Sequence, residues 1–338
     1  MQLWQCRLML LLLQQPPPRP RLWHTADELR AAWSNRELLE VAPFVPRPER
    51  IHRLDLGQTG RGDTHLSTLI RHWFQHRLDE ASRDRLASFC REAKRLDFGC
   101  ACSGSGCLTL CAATLQDGIN ELIGAQFECT HKFAVESNPE KQNFLKVMFP
   151  HLPQLFEDVT VVSSGAGMNK MASPAATASV DDVDVFGAGF PCQDASALHS
   201  DRASSSHRSC VIEGSLRTGS VVRHIFALVG QMRRARLLLL ENVAGLAAVP
   251  RDQNHQPIGP SNLAAVIFCA AKEAGFHIRA FSLNPHDFGV PQCRHRLWMV
   301  GVPIETLRVA GMDCADADQI LEGFMCSLVG CEGSNVLR

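Results

Sequence analysis

One cysteine near the middle of the chain has the surroundings expected of a nucleophile. Residues 183–186 predict a short buried strand, and Gly187 and Gly189 are expected to end it. Phe190-Pro191-Cys192 then turns the chain out of the sheet, onto a rigid loop at the edge where α/β sheets keep their chemistry. A thiol in that position becomes a nucleophile if its pKa falls below the free value of about 8.5. The alternative interpretation is a small buried apolar residue.

A carboxylate is expected at the same edge of the sheet. Arg236 and the four leucines that follow it at 237–240 form a run typical of a central parallel strand, and this run leads directly into Glu241, Asn242 and Val243. Because parallel strands end at one edge, Glu241 is predicted to leave the sheet on the side that carries Cys192.

A third polar group follows at residues 292–296. In an extended segment, side chains two residues apart share one face, so Gln292, Arg294 and Arg296 are predicted to point together. Three planar polar side chains in this arrangement suit an anion or the edge of a base. The alternative is a solvated basic start of a strand.

A glycine-rich turn and two acids are candidates for a nucleotide-like cofactor. Residues 96–106 predict a short strand and a small-residue turn, and a helix from Cys107 follows. Glu136 ends the strand that begins at Phe133, where an acid commonly accepts hydrogen bonds from ribose hydroxyls, although a helix cap before Pro139 explains it equally well. Asp158 follows another apolar stretch and is predicted to face an adenine amino group.

The elements that position these residues alternate between strands and helices. This alternation predicts an α/β fold, a doubly wound and mostly parallel sheet, preceded by a helical extension. Residues 163–180 and 199–220 are expected to be mobile surface loops because they are rich in Ser, Ala, Gly or Arg. The other predicted helices are 25–39, 64–94, 140–149, 221–232 and 263–274, and residues 276–283 predict a further strand.

The bulk composition is that of a globular protein. The 338 residues are 45% hydrophobic and 20% charged with a net charge of −1, so no overall basic charge indicates nucleic acid. Residues 1–95 and 199–236 nevertheless each carry an excess of five positive charges. The apolar run Leu8–Leu13 is too short to span a bilayer and only weakly resembles a secretory signal, so no membrane association is predicted.

The 14 cysteines do not have the spacing of a zinc site. No Cys-x-x-Cys pair occurs, and an ordinary reduced intracellular thiol population is the simplest interpretation. His72 and His76 lie four residues apart and are a weak metal candidate, because no third ligand is nearby. No metal site is therefore predicted.

Taken together, these motifs resemble the cytosine carbon-5 methyltransferase family over roughly residues 95–303. Residues 189–193, Gly-Phe-Pro-Cys-Gln, with Ser196 are similar to the Pro-Cys nucleophile loop of that family. Residues 241–243 resemble its Glu-Asn-Val motif, and residues 288–296 resemble its Gly-Val-Pro-Gln-x-Arg-x-Arg segment. The family pattern at the cofactor turn is Phe-x-Gly-x-Gly, whereas this chain reads Phe-Gly-Cys-Ala-Cys-Ser-Gly-Ser-Gly from Phe98.

The resemblance implies a mechanism and a set of site residues. Cys192 would attack carbon 6 of a flipped-out cytosine, and a protonated Glu241 would hydrogen-bond to ring nitrogen 3. Arg294 and Arg296 complete the expected catalytic set by positioning the base and the loop, and a fixed cation near Cys192 would favour its thiolate. S-adenosyl-L-methionine is the implied cofactor, held by Phe98, Gly104, Gly106, Glu136, Asp158 and Pro191. The implied substrate-binding residues are Gln193, Ser196, Asn242 and Gln292.

The resemblance also sets the expected organisation and partners. The expected segments are a disordered or mispredicted N-terminus (1–24), a helical extension (25–94), the catalytic domain (95–303) and a short C-terminal tail (304–338). The recognition region and closing motifs of the family are expected to be missing. The expected partner is DNA, which implies a nuclear location, and the oligomeric state is left open. The alternatives are an RNA (tRNA-like) cytosine-5 methyltransferase and a non-catalytic or truncated relative that acts as a binding module.

Overall fold

A seven-stranded sheet forms the centre of the protein. The computed structural model describes residues 26–35, 42–45, 80–124, 126–196, 209–252, 254–288 and 292–329. Leu8–Leu13, His72, His76, the first part of the predicted helix 64–94 and residues 199–208 of the predicted loop 199–220 lie outside these residues. The strands are β1 (Arg95–Ala101), β2 (Glu128–Val135), β3 (Gln154–Phe156), β4 (Ala166–Asn169), β5 (Ala176–Ser179), β6 (Val185–Gly189), β7 (Leu237–Val243), β8 (Phe276–Leu283) and β9 (Arg296–Pro303).

The helices alternate with these strands along most of the chain. They are α1 (Ala26–Ser34), α2 (Glu80–Ala93), α3 (Cys107–Ile123), α4 (Pro139–Met148), α5 (Val159–Val162), α6 (Cys210–Glu213), α7 (Leu216–Val229), α8 (Asn262–Cys269), α9 (Ile304–Val309) and α10 (Cys314–Val329). A π-helical turn, Ala270–Ala274, prolongs α8, and 3-10 turns occupy Gln193–Ala195, Ala244–Ala247 and Pro285–Phe288.

Local sequence explains where several helices begin and end. Asn138 caps α4 by accepting the backbone N–H groups of the first turn, and Pro139 is its first residue, where the missing N–H costs nothing. Ser261 caps α8 through its hydroxyl, which accepts from the Ala264 N–H. Gly124 and Gly275 end helical segments in the left-handed conformation that favours glycine.

The sheet order defines a doubly wound topology. The strands follow the order β3-β2-β1-β6-β7-β9-β8, in which β9 runs antiparallel to both of its neighbours and the other pairings are parallel. The chain therefore reverses its direction of winding between β1 and β6. In open α/β sheets, ligands bind outside the carboxyl ends of the strands at this switch point. The predicted fold class is confirmed.

The core lies between the sheet and its helices. Phe186, Leu238 and Leu240 of the central strands are fully buried, as are Phe226 of α7 and Val266 of α8, and all belong to one apolar cluster. Each buried side chain of this size contributes about 1.5–3 kcal/mol relative to exposure. A separate cluster joins α2 to α3 and β2 through Leu86, Phe89, Cys90, Ile119 and Cys129.

Three local predictions were wrong. Residues 163–180 are not a mobile loop, because β4 and β5 pair there as an antiparallel hairpin. Gly187 and Gly189 do not end the strand but belong to β6; a Cβ atom at Gly187 would lie 2.6 Å from Leu108 Cδ2, so glycine permits the close approach of α3. Helix α7 begins at Leu216 rather than at residue 221, inside the segment expected to be mobile.

The residues assigned to a C-terminal tail are helical as far as residue 329. Leu307, Met312, Ala317 and Ile320 form an apolar cluster with Val302 of β9. Further along α10, Leu321 and Met325 pack against Phe281 of β8, while His277 and Arg279 pair with Asp318 and Glu322. In the described part of the chain, no helix is both long and apolar enough to cross a membrane.

The glycine at position 219 tests the packing of α7. A Cβ atom there would lie 1.9 Å from the Cys210 carbonyl oxygen, and backbone atoms cannot move aside cheaply. We expect Gly219→Ala to lower the free energy of unfolding by about 2 kcal/mol or more, measured by urea denaturation. Gly323→Ala in α10 is the control: nothing lies within 4 Å, so it should be neutral or stabilise by about 0.5–1 kcal/mol. Equal stability of the two variants would contradict this packing.

Candidate functional site

The candidate site lies at the carboxyl edge of β1, β6 and β7. Parallel pairing places Ala101 of β1 beside Ala188 of β6, and Gly189 of β6 beside Glu241 of β7. The glycine turn after β1, the Cys192 loop after β6 and the Glu241 side chain therefore meet at the topological switch point. The structure brings these predicted groups together.

Cys192 lies at the start of a 3-10 turn, Gln193–Ala195. Its backbone has φ −111° and ψ 0°, and its carbonyl oxygen accepts the Ala195 N–H at 3.1 Å. The thiol side chain is half-buried, the Gln193 side chain is exposed, and Ser196 ends the turn half-buried. A partly accessible thiol on a short, hydrogen-bonded turn suits a nucleophile better than a core residue.

Backbone carbonyls of the Cys192 loop are held by buried polar side chains. The Asn242 amide donates to the Phe190 carbonyl oxygen at 3.1 Å, and its own oxygen accepts the Val243 N–H. Asn242 is only 1% exposed. The prediction of Asn242 as a substrate-binding residue is therefore revised, because its amide is buried against the loop rather than presented to a pocket.

Glu241 has the environment of a carboxyl that is readily protonated. Its Oε2 atom lies close enough to Gly189 that a Cβ atom there would approach within 3.5 Å. Burial raises the pKa of Glu241, while the positive charges of Arg296 and Arg294 act in the opposite direction without reversing the shift. Glu241 is thus suited to donate a hydrogen bond when protonated.

Arg296 is the cation in direct contact with this carboxyl. Its Nε lies 2.9 Å from Glu241 Oε1, at the position where β9 begins beside the end of β7. Arg296 was predicted to position the base and the Cys192 loop, and the contact that the structure gives it is to Glu241. Gln292 and Arg294 are exposed, whereas Arg296 is half-buried, so the three predicted neighbours differ in accessibility.

The cofactor side of the site is built on the turn after β1. Gly104 and Gly106 both have positive φ, at 58° and 75°. A Cβ atom at Gly104 would meet nothing within 4 Å, so this turn leaves open space above it, whereas one at Gly106 would lie 2.4 Å from Phe149. The turn therefore needs glycine at both positions and allows a ligand to approach its backbone.

Glu136 lies against this turn, as predicted for a cofactor acid. One carboxylate oxygen accepts the Gly104 N–H at 2.7 Å and the other accepts the Asn138 N–H at 2.9 Å. A carboxylate has about four acceptor sites, so it retains acceptor capacity for ribose hydroxyls. Asp158, half-buried after β3, caps α5 through the Thr160 N–H. The two acids and the glycine turn fit a nucleoside-containing cofactor.

Phe98 does not face this pocket, and its prediction as a cofactor-binding residue was wrong. Its ring is 4% exposed and stacks on His131 of β2 at a centroid distance of 4.5 Å. If Gly104 and Gly106 are aligned with the two glycines of the Phe-x-Gly-x-Gly pattern, Cys102 occupies the position of the phenylalanine. Cys102 has a φ of 52°. Burial and the charge of Glu136 raise the pKa of the Cys102 thiol to about 12, which makes it a poor nucleophile.

Several residues at the site were not predicted from the sequence. Asn284, 7% exposed, accepts the Arg294 N–H and so holds the segment before β9. Arg217, at the start of α7, donates to the Ser137 hydroxyl next to Glu136 at 3.3 Å. Thr218 of α7 contacts the Cys192 loop: its N–H donates to the Asp194 carboxylate on the loop, and its hydroxyl donates to the Pro191 carbonyl oxygen. None of them belongs to a motif, and each depends on contacts between distant parts of the sequence.

The fold and the site define a class of protein, and a family model then identifies the family. A doubly wound sheet with a glycine turn, a ribose-type acid and a cysteine loop at the switch point defines an α/β protein whose site fits a nucleotide-like cofactor. The model for C-5 cytosine-specific DNA methylases matches residues 115–309, more than half of the chain, including Cys192, Glu241, Arg294 and Arg296. The chain belongs to this family.

Curated relatives match about half of the chain. This chain is 27% identical over 174 residues to type II methyltransferase M.NlaIV of Neisseria lactamica, and the match covers 51% of this chain and 34% of that protein. It is 27% identical over 168 residues to M.AquIA of Picosynechococcus sp., covering 50% of this chain and 61% of that protein. The chain thus spans about a third of the length of the Neisseria relative and under two thirds of the other.

Solved structures are similar at a lower level. Dnmt2 of S. pombe is 13% identical with a TM-score of 0.36, covering 62% of this chain and 50% of that one. A DNMT2 variant of Spodoptera frugiperda is 20% identical with a TM-score of 0.37 and the same coverage. The fold assignment rests on the strand order described above.

Among the described residues, no group of three His, Cys, Asp or Glu side chains could hold a metal ion.

The raised pKa of Glu241 predicts a pH-dependent effect on stability. The native state binds the Glu241 proton more tightly than the unfolded chain does, in which the pKa of a glutamate is about 4.3. The free energy of unfolding of the native protein therefore falls as the pH rises from about 4.3 to the pKa of Glu241 in the native state. Glu241→Gln removes the titration. We expect the free energy of unfolding of the variant, minus that of the native protein, to increase from about pH 4 and then to level off.

Urea denaturation between pH 3.5 and 8 measures this difference. Glu140→Gln, on the exposed first turn of α4, is the control and should give a difference that changes little with pH. A difference for Glu241→Gln that decreases as the pH rises would show that the Arg296 ion pair, rather than burial, dominates the environment of Glu241.

Proposed function

We propose that this chain catalyses transfer of a methyl group from S-adenosylmethionine to carbon 5 of cytosine in DNA. The observation that carries the proposal is the register Gly189–Glu241, which places the Cys192 loop and a readily protonated carboxyl on adjacent parallel strands. The neighbouring glycine turn and Glu136 supply the cofactor side. Membership of the C-5 cytosine-specific DNA methylase family supports both the chemistry and the polymer.

Cys192 supplies the nucleophile in this proposal. Its sulfur forms a bond to carbon 6 of the cytosine ring, and the ring electrons move so that carbon 5 becomes an enamine carbon. Covalent attack of this kind divides one difficult step into two easier ones. After methylation, a solvent base takes the proton from carbon 5, the double bond between carbons 5 and 6 re-forms, and the sulfur leaves carbon 6 as a thiolate. The bound cofactor supplies the electrophilic methyl group.

Glu241 stabilises the ring while that bond exists. Attack at carbon 6 places negative charge on ring nitrogen 3, and a protonated carboxyl can donate a hydrogen bond or its proton there. Burial already shifts the pKa of Glu241 in the required direction. Arg296, 2.9 Å from Glu241, sets the orientation of the carboxyl before the base enters.

The substrate must reach this site as an unstacked base. A cytosine in a duplex has carbon 6 enclosed by its neighbours, so it has to be flipped out of the helix. The exposed Gln292 and Arg294 and the half-buried Ser196 lie on segments next to the Cys192–Glu241 edge, and they are the proposed contacts to the base and its phosphates. Gln193 is exposed on the loop itself and is assigned the same role.

A covalent trap tests the nucleophile and the polymer. Fluorine at carbon 5 cannot leave as a proton, so 5-fluorocytosine in duplex DNA should hold the protein through Cys192 when S-adenosylmethionine is present. We expect a denaturation-resistant adduct, detected by gel shift and peptide mass spectrometry, that Cys192→Ala abolishes. Cys314→Ala, an exposed cysteine on α10, is the matched control and should leave the adduct unchanged.

The outcomes separate the alternatives. An adduct with a tRNA-like oligonucleotide and none with duplex DNA would replace DNA by RNA as the substrate. No adduct with either polymer, while the cofactor binds, would overturn the enzyme proposal and support a binding module.

The cofactor assignment has its own test. Glu136→Ala removes the proposed partner of the ribose hydroxyls and a hydrogen-bond acceptor of the glycine turn, so we expect the dissociation constant of S-adenosylhomocysteine to rise about ten- to a hundredfold. Isothermal titration calorimetry gives this value. Glu157→Ala, an exposed acid that pairs with Lys170, is the control, and an equal effect of both variants would contradict the assignment.

A further inference from the structure

The loop that carries Cys192 is fastened to the first turn of α7. The Asp194 carboxylate accepts the Thr218 N–H at 2.7 Å, and the Thr218 hydroxyl donates to the Pro191 carbonyl oxygen at 2.8 Å. One residue of α7 is therefore bonded to the residue before Cys192 and to a residue two positions after it. We call Pro191, Asp194 and Thr218 the α7 clamp.

Burial makes this clamp strong. Thr218 is fully buried and Asp194 is 9% exposed, so water does not compete freely for these groups. A hydrogen bond to a charged group is stronger than one between neutral groups, and its loss leaves a buried partner unsatisfied. The clamp is thus a fixed point for the backbone on both sides of Cys192.

Asp194 also caps a helix that belongs to another part of the chain. Ser215, the residue before α7, makes no side-chain cap to the helix, and Thr218 is the third residue of α7. The Asp194 carboxylate occupies the place of an N-cap acceptor and interacts favourably with the helix dipole. The helix N-terminus offsets the negative charge of Asp194, which would otherwise oppose a thiolate two residues away.

Helix α7 is itself rigidly placed, so it can serve as the reference for the loop. Gly219 contacts the Cys210 backbone so closely that no Cβ atom fits. Arg223 of α7 forms a buried ion pair with Glu273, beyond α8.

We propose that Asp194 and Thr218 are positioning residues that hold the Cys192 thiol in its reactive location, an inference that rests on the proposed function. Asp194 needs an acceptor oxygen for this role more than it needs a charge. Asparagine, which is also a strong N-cap residue, should therefore preserve the function of Asp194, whereas alanine should not.

Two readouts test the clamp. The first is the rate of adduct formation on 5-fluorocytosine DNA at saturating DNA and S-adenosylmethionine. We expect Asp194→Ala to lower this rate about ten- to a hundredfold, because a displacement of about 1 Å at a reacting group costs up to about a hundredfold. The dissociation constant of S-adenosylhomocysteine should stay within about twofold, and Asp194→Asn should restore most of the rate.

The second readout does not depend on the proposed function. Alkylation of Cys192 by iodoacetamide, followed by peptide mass spectrometry and normalised to the exposed Cys314, reports how accessible the thiol is. Release of the loop should make Cys192 react several-fold faster in Asp194→Ala and in Thr218→Val. Slower adduct formation combined with faster alkylation would show that the Cys192 thiol is still reactive but is no longer held in the position that adduct formation requires.

Ser261→Ala is the matched control. It removes a helix cap of the same type from α8, where no hydrogen bond to the Cys192 loop is involved, and it should lower the melting temperature by a similar few degrees. Both of its rates should remain within about twofold of the native values.

The proposal is overturned if Ser261→Ala reproduces both changes, if Asp194→Asn is as impaired as Asp194→Ala, or if Asp194→Ala leaves the alkylation rate unchanged. If the native protein forms no adduct with DNA or RNA, the proposed function fails. The alkylation rates of Asp194→Ala, Thr218→Val and Ser261→Ala then still decide whether the clamp holds Cys192.

Discussion

The parallel pairing of β6 with β7 is the constraint on which the site depends. It places Gly189 beside Glu241, so the carboxyl lies over a residue without a side chain, three positions before Cys192. A slip of one residue would turn Glu241 to the opposite face of the sheet. The buried leucines at 238 and 240 oppose such a slip, because it would move them from the buried face of β7 to its half-buried face. Core packing therefore sets the geometry of the two proposed catalytic groups.

Buried polar contacts hold the Cys192 loop and the glycine turn, whose positions strand pairing alone does not determine. Asn242 holds the Phe190 carbonyl, and Asp194 and Thr218 hold the backbone around Cys192. On the other half of the site, Glu136 accepts the Gly104 N–H and so braces the cofactor turn. In each of these contacts a buried side chain bonds to a backbone N–H or carbonyl group, so the backbone of the loop and of the turn is held directly. Because other residues hold the backbone, the side chains of Cys192, Glu241 and the exposed Arg294 remain available to a substrate.

Much of the fold followed from local patterns in the sequence. The apolar runs predicted β7 and β8, and the order of the motifs predicted a doubly wound sheet with Cys192 and Glu241 at one edge. The hairpin of β4 and β5 was missed because pairing, rather than composition, forms it. Phe98 was misplaced because strand β1 continues to Ala101 before the turn begins. Asp194 and Thr218 belong to no motif, and their contact spans 24 residues, so only the folded chain reveals it.

Hydrogen exchange at carbon 5 of cytosine tests the central claim most directly, because it needs the nucleophile and the carboxyl but no methyl transfer. Attack of Cys192 at carbon 6 makes carbon 5 an enamine carbon, which takes up a solvent proton and can release the original hydrogen when the sulfur leaves. With cytosine tritiated at carbon 5 in duplex DNA, the account predicts release of tritium to water that Cys192→Ala abolishes and Glu241→Gln strongly reduces. Release no faster than with Cys192→Ala, from DNA that is demonstrably bound, would contradict it.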